Sequence, residues 1–280
     1  MLCTDYNFFV FLAIVFVLYY SLQKDLYQRI VLLLAGFVFY AYNYPMLLLL
    51  LTGSILFNAY VSYGIVYFKA ETRKQWVTLG VVVNLGLLVF FKYSPLLAHT
   101  FLPADMSLSQ FLVAIPLPIG ISFYTFEGIS LVVDMYRSKD TAFQHRIVDR
   151  NFAKHCINTS LFESFFPHLI SGPIVRASDF VPQISAKPIR DIEWTEAFKK
   201  LVLGYFLKAV IADNLSMYTG KMAFPAFLDI SSMNLVVLLL GYSFQIFADF
   251  QGYSLIAIGL GLLFGYRLTL NFNFPYISTT

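Results

Sequence analysis

Uncharged apolar runs alternate along this chain with short segments that hold nearly all of its lysine and arginine. The runs cover residues 6–23, 30–68, 75–91 and 106–126. A hydrocarbon core about 30 Å thick needs roughly 20 apolar residues to be crossed by a helix, so each run predicts at least one membrane span. The second run has about twice the necessary length and carries Asn43, Tyr44 and Pro45 near its middle. It predicts two helices joined by a tight turn, the first extended by residues 26–29. Lys24 and Arg29, then Lys69, Arg73 and Lys74, then Arg137, Lys139, Arg146, Arg150 and Lys154 fall on one side of the resulting topology, while residues 43–45 and 93–108 hold no lysine or arginine. The positive-inside rule then places the basic loops in the cytoplasm and the amino terminus outside.

Past residue 134 the pattern changes. Residues 157–175 are apolar but include Glu163, Pro167, His168, Gly172 and Pro173, with basic segments on both flanks. Equal charge on both sides predicts a re-entrant element, whose broken backbone is tolerated at membrane depth only where protein covers it or it lines a cavity. Trp194 is placed as an interfacial anchor, and residues 199–213 predict a helix with its charges near the ends. Between Asp229 and Asp249, and again between Asp249 and Arg267, no residue is formally charged. Gln245, Asp249 and Gln251 therefore lie at or near bilayer depth, where polar groups are expensive and usually face a protein-lined pathway. Gln245, Asp249 and Tyr253 recur at i, i+4 and i+8, so they share one helix face.

Composition agrees with this pattern. Hydrophobic residues make up 59% and charged residues 12%, against about 45–50% and 25% in soluble domains. The net charge of +3 is spread over many loops and forms no basic stripe, which excludes a nucleic-acid footprint. Cys3 and Cys156 support neither a disulfide framework nor a zinc site, and no other metal set is predicted. The first run has bulky residues where a signal peptidase wants small ones, so it is expected to be retained as a span. The expected fold is all-α: a polytopic transmembrane bundle with one broken, re-entrant helix, organised as a single domain over residues 1–280.

Four ordered segments carry a resemblance. PLPIGISFYTFEGISLVVDMYR (116–137), FFPHLISGPIVRASDFVPQI (165–184), LGYFLKAVIADNLS (203–216), and FQIFADFQGYS with NFNFPYIS (244–278) resemble consecutive motifs of the membrane-bound O-acyltransferase (MBOAT) family. The similarity is to its bacterial branch of alginate and peptidoglycan O-acetyltransferases and teichoic acid D-alanyl transfer proteins. Membership implies a helical membrane enzyme with a central tunnel and no bound cofactor. It also implies a cytoplasmic acyl donor such as acetyl-CoA or an acyl carrier thioester, an acceptor polysaccharide on the far side, and a periplasmic or surface acyltransferase as partner. The implied location is the cytoplasmic (inner) membrane. In the family, tracts resembling FWRRWHISLS and LWHG follow NFNFPYIS and carry its two histidines, one of them taken as catalytic. This sequence ends at Thr280, so no catalytic residue is assigned within it, and the 280-residue chain alone is expected to be inactive.

The candidate substrate- or tunnel-lining residues each keep a second reading. His168 lines the donor channel or braces the broken helix. Arg176 meets donor phosphates or is an ordinary positive-inside arginine. Gln245, Asp249 and Tyr253 line a tunnel or bond between helices, and Asn271 and Asn273 line it or cap a helix that Pro275 stops. Glu127 is expected to pair with Arg137 or another loop cation, and Lys208 with Asp213. A polytopic transporter and a non-catalytic scaffold remain as alternative functions.

Overall fold

The computed structural model describes residues 3–42, 44–103, 105–115 and 117–270. Among them the regular elements are all helical: α1 (Tyr6–Ser21), α2 (Asp25–Ala41), α3 (Leu47–Tyr67), α4 (Arg73–Phe101), α5 (Ser107–Ala114), α6 (Ile121–Arg137), α7 (Thr141–Ile147), α8 (Phe152–Glu163), α9 (Ala177–Phe180), α10 (Trp194–Tyr205), α11 (Asp213–Thr219) and α12 (Ser232–Leu263). Leu47–Tyr67, Ala70–Phe101, Trp194–Met222 and Ser232–Leu263 are long and apolar enough to cross a membrane. The protein is therefore a multi-pass, all-α membrane protein. The turn expected around Asn43 separates α2 from α3, although Asn43 itself lies outside the described residues.

Two compact units emerge among the described residues, one within 21–170 and 174–186, the other within 3–20, 171–173 and 187–270. In the first unit, α3, α4 and α6 pack closely: a methyl on Gly80 would come 2.8 Å from Val132 and 3.0 Å from Val61. Gly36 of α2 lies so near the Ser164 carbonyl that no side chain fits between them. Arg29 is not a loop cation. It is buried on α2, pairs with Asp25 and donates to Asn158 Oδ1 at 2.7 Å.

The run at residues 106–126 does not form the single span its apolarity suggests. It breaks after α5, and α6 begins only after Gly120, whose φ of 77° is left-handed. Pro118 and the glycine explain the interruption, since proline restricts the residue before it and only glycine adopts positive φ without strain. A side chain on Gly120 would collide with the Leu169 carbonyl. The start of α6 is thus seated on the segment that follows α8.

In the second unit α10 runs into a π-helical stretch, Phe206–Ala212, and on into α11. Gly204 faces Gly252 of α12 so closely that a methyl on either would lie within 2.9 Å of the opposite backbone. Small residues of this kind let membrane helices approach. α12 ends at Leu263, well before the proline expected to stop it. Gly265, at φ 79°, closes it with bonds from Tyr266 N to Gly261 O at 2.8 Å and from Gly265 N to Leu262 O at 3.1 Å, the Schellman arrangement. Tyr19 and Tyr20 of α1 donate to the carbonyls of Phe264 at 3.2 Å and Leu263 at 2.8 Å. Carbonyls that a helix end leaves unpaired are satisfied there without water.

Candidate functional site

The first unit contains a polar cluster that no water reaches. After α8 the chain abandons helical geometry through residues 164–176, and His168, at the centre of that stretch, is wholly buried. Its Nδ1 lies 2.9 Å from Oε1 of Glu127, which is 1% exposed. The expected pairing of Glu127 with Arg137 is not found. Arg137 is exposed at the last turn of α6, whereas Glu127 sits in its second turn, where Gly120 has already brought α6 against the broken segment. The approach of Nδ1 to Oε1 is close without the alignment of a hydrogen bond, and Nε2, like Nδ1 and both Glu127 oxygens, has no hydrogen-bond partner among the described residues. The rings of Phe165, Phe180 and Phe162 surround the imidazole, with centroids 5.4, 5.8 and 6.5 Å away.

A second buried carboxylate closes α8. Glu163 has no exposed surface, and the single amide nitrogen of Asn58 straddles its two oxygens at 3.1 Å each. Asn58 Oδ1 in turn accepts from Asn84 Nδ2 at 2.7 Å, so the chain of bonds runs from α4 through α3 to α8. Gly128 makes this possible, since a Cβ there would overlap the Asn58 amide. One turn along α3, Ser62 Oγ lies 2.9 Å from His155 Nε2. Asn58 and Ser62, and their buried neighbour Ser54, were not singled out from the sequence. Their i, i+4, i+8 spacing within an apolar run was the available signal.

The second unit carries its own charges. Lys208, within the π-helical stretch, reaches Asp213 at 2.8 Å and Asp249 at 2.7 Å. The expected Lys208–Asp213 pair is present and Asp249 joins it. Such π-bulges are common at functional positions. Gln245 accepts from Thr219, and Tyr253 neighbours Cys3, whose carbonyl accepts from Tyr205 at 2.8 Å. The shared face of Gln245, Asp249 and Tyr253 is thus half-buried, each residue meeting another element of the unit. Arg176 is exposed at the start of α9 and makes no ion pair among the described residues. Asn271 and Asn273 lie outside the described residues.

No protein-family model matches the chain, but whole-length similarity to curated proteins is strong. It is 37% identical over 97% of its length to "Probable alginate O-acetylase AlgI" of Pseudomonas aeruginosa, covering 51% of that protein. A peptidoglycan O-acetyltransferase of Helicobacter pylori is 34% identical over 96% of the chain and 55% of its own length. A teichoic acid D-alanyltransferase of Bacillus subtilis is 27% identical over 77% and 51%. Over the half of their length that it spans, the chain is similar to these enzymes along nearly all of its own length, in line with the resemblance its motifs carry. All four of the segments that carry the resemblance map onto the buried or charged features described above. The first MBOAT motif holds Gly120, Glu127 and Gly128, the second His168, and the third and fourth Lys208 and Asp249. The chain spans about half the length of the curated relatives it matches.

Proposed function

We propose that this protein transfers a short acyl group, acetyl foremost, from a thioester donor on the cytoplasmic side to a hydroxyl of an exported or cell-wall polysaccharide. The observation that carries the reading is similarity along nearly the whole chain to enzymes whose names share one chemistry, acylation of a surface polymer, while the polymer varies. Buried and half-buried polar groups within membrane helices fit such a role, since carrying polar reactants to bilayer depth requires protein groups that replace water. Acetyl-CoA or an acyl carrier thioester is the proposed donor. Arg176, exposed beside the broken segment, is the proposed contact for its phosphates, because a guanidinium pairs well with phosphate oxygens. A periplasmic or surface acyltransferase is the proposed partner on the acceptor side, and the inner membrane the proposed location. The transporter alternative is set aside, since the relatives are named as transferases.

Deleting the gene should lower the acyl-ester content of the cell's surface polysaccharide, measured after mild alkaline release, and expression of the whole reading frame should restore it. Unchanged ester content would remove the basis of the proposal. The orientation is tested separately. Cysteines placed at Thr72 and Thr141 should be shielded from an impermeant thiol reagent in intact cells and one at Thr100 labelled; the opposite pattern would invert the topology and take Arg176 away from a cytoplasmic donor.

A further inference from the structure

We infer that Glu127 is a positioning residue for His168, and that it presents His168 Nε2 as the acceptor for a buried O–H of the acyl acceptor or S–H of the thiol the donor releases. The inference rests on the acyltransferase reading and deepens it. Neither residue meets water, and Nδ1 stands 2.9 Å from the Glu127 carboxylate. With Glu127 taken as the carboxylate, which only accepts, the hydrogen between them belongs to Nδ1. That contact holds the ring and, with the hydrogen on Nδ1, leaves Nε2 with its lone pair in the neutral imidazole. Buried polar nitrogens nearly always have a partner, yet around the imidazole the structure offers the rings of Phe162, Phe165 and Phe180, none of which accepts or donates a conventional bond. The histidine also sits on non-helical backbone inside a membrane protein, which is tolerated where it is covered or borders a pathway. An acyl acceptor's hydroxyl, or the thiol freed when the thioester donor gives up its acyl group, supplies the complementary hydrogen. A loop cation was the expected partner of Glu127, and none reaches it among the described residues.

A buried acid–base pair is open to a purely structural explanation, and the two accounts separate experimentally. Replacing both members of such a pair by apolar residues is often neutral for stability, whereas removing one is not. The complete protein in lipid nanodiscs is therefore compared with Glu127→Gln, Glu127→Leu, His168→Gln and the double replacement Glu127→Leu with His168→Leu. Glu127→Gln keeps an oxygen for Nδ1–H to meet, and it should retain more transfer than Glu127→Leu. The leucine variant is expected to lose about 10²-fold in kcat, the usual consequence of a misplaced reacting group, with the donor KM nearly unchanged. The double replacement should insert normally and be no slower than either single loss, because the two residues act as a unit. Transfer at the wild-type rate by the double replacement, or Glu127→Gln no better than Glu127→Leu, overturns the assignment.

A readout independent of turnover accompanies these rates. Ring ¹⁵N spectra, with His168 identified by its loss in His168→Gln, should show a carboxylate-bound Nδ1–H that shifts in both Glu127 variants. A His168 signal indifferent to Glu127 overturns the assignment even where transfer is affected. Absence of polymer acylation by the wild-type protein refutes the acyltransferase reading instead, and the spectra still decide whether Glu127 holds the ring.

Discussion

Asn58→Leu is expected to destabilise the protein by about 3 kcal/mol, the upper range for stranding a buried hydrogen-bonded group. An ordinary hydrogen bond between membrane helices contributes only about 0.6 kcal/mol, so a routine interhelical contact would predict an almost silent substitution. Two features argue for the larger figure. Glu163 has no exposed surface, and its two oxygens both draw on the one Asn58 nitrogen. Removing that donor leaves a carboxyl group deep in the unit, and it also takes from the Asn84 amide its 2.7 Å bond to Asn58, leaving the one to the Gly80 carbonyl at 2.8 Å. Leucine adds no compensation, because the space is shaped around the amide by Gly128. Thermal unfolding in detergent, followed by the fraction that stays monodisperse, measures the effect. Glu163→Gln on the native Asn58 background, which keeps an oxygen to accept from the Asn58 amide, should lose much less and serves as the comparison. A wild-type melting profile for Asn58→Leu would mean that the Asn58–Glu163 bonds contribute little.

The membrane architecture was legible because hydrocarbon imposes one rule, that backbone groups be satisfied within helices, and uncharged length reports compliance with it. The runs at residues 6–23 and 30–68 became α1, α2 and α3 within a few residues of their sequence limits. Where apolarity persisted across a local break, the reading failed. Residues 106–126 stay uncharged through Pro116, Pro118 and Gly120, yet the structure separates α5 from α6 there. Proline and glycine chemistry, more than hydropathy, decided that boundary.

The polar site divides in the same manner. His168 was legible because proline and glycine flank it inside an apolar stretch, and Asp249 because it stands alone between distant charges. Their partners were not. Glu127 lies 41 positions from His168 in the sequence, and Asn58 is 105 from Glu163; neither pairing leaves a periodic trace on one helix. Lys208 illustrates the intermediate case. Its bond to Asp213 is local enough to anticipate, but its bond to Asp249 depends on the π-helical turn and on the Gly204–Gly252 approach, which depend on two helices at once.

Acyl transfer from donor to polymer in a defined system tests the central claim most directly. The protein expressed from its whole reading frame, taken past the codon for Thr280 wherever the frame continues, is reconstituted in vesicles with radiolabelled acetyl-CoA, or an acetyl-loaded carrier protein, on its donor side. The polysaccharide and acyltransferase partner of the source cell are supplied on the other side. A positioned general base is worth about 10²- to 10⁴-fold in rate, so label should accumulate on the polymer as alkali-labile ester far above protein-free vesicles. Label that stays on the donor with every donor and acceptor combination, while the protein is folded and correctly oriented, would contradict the account.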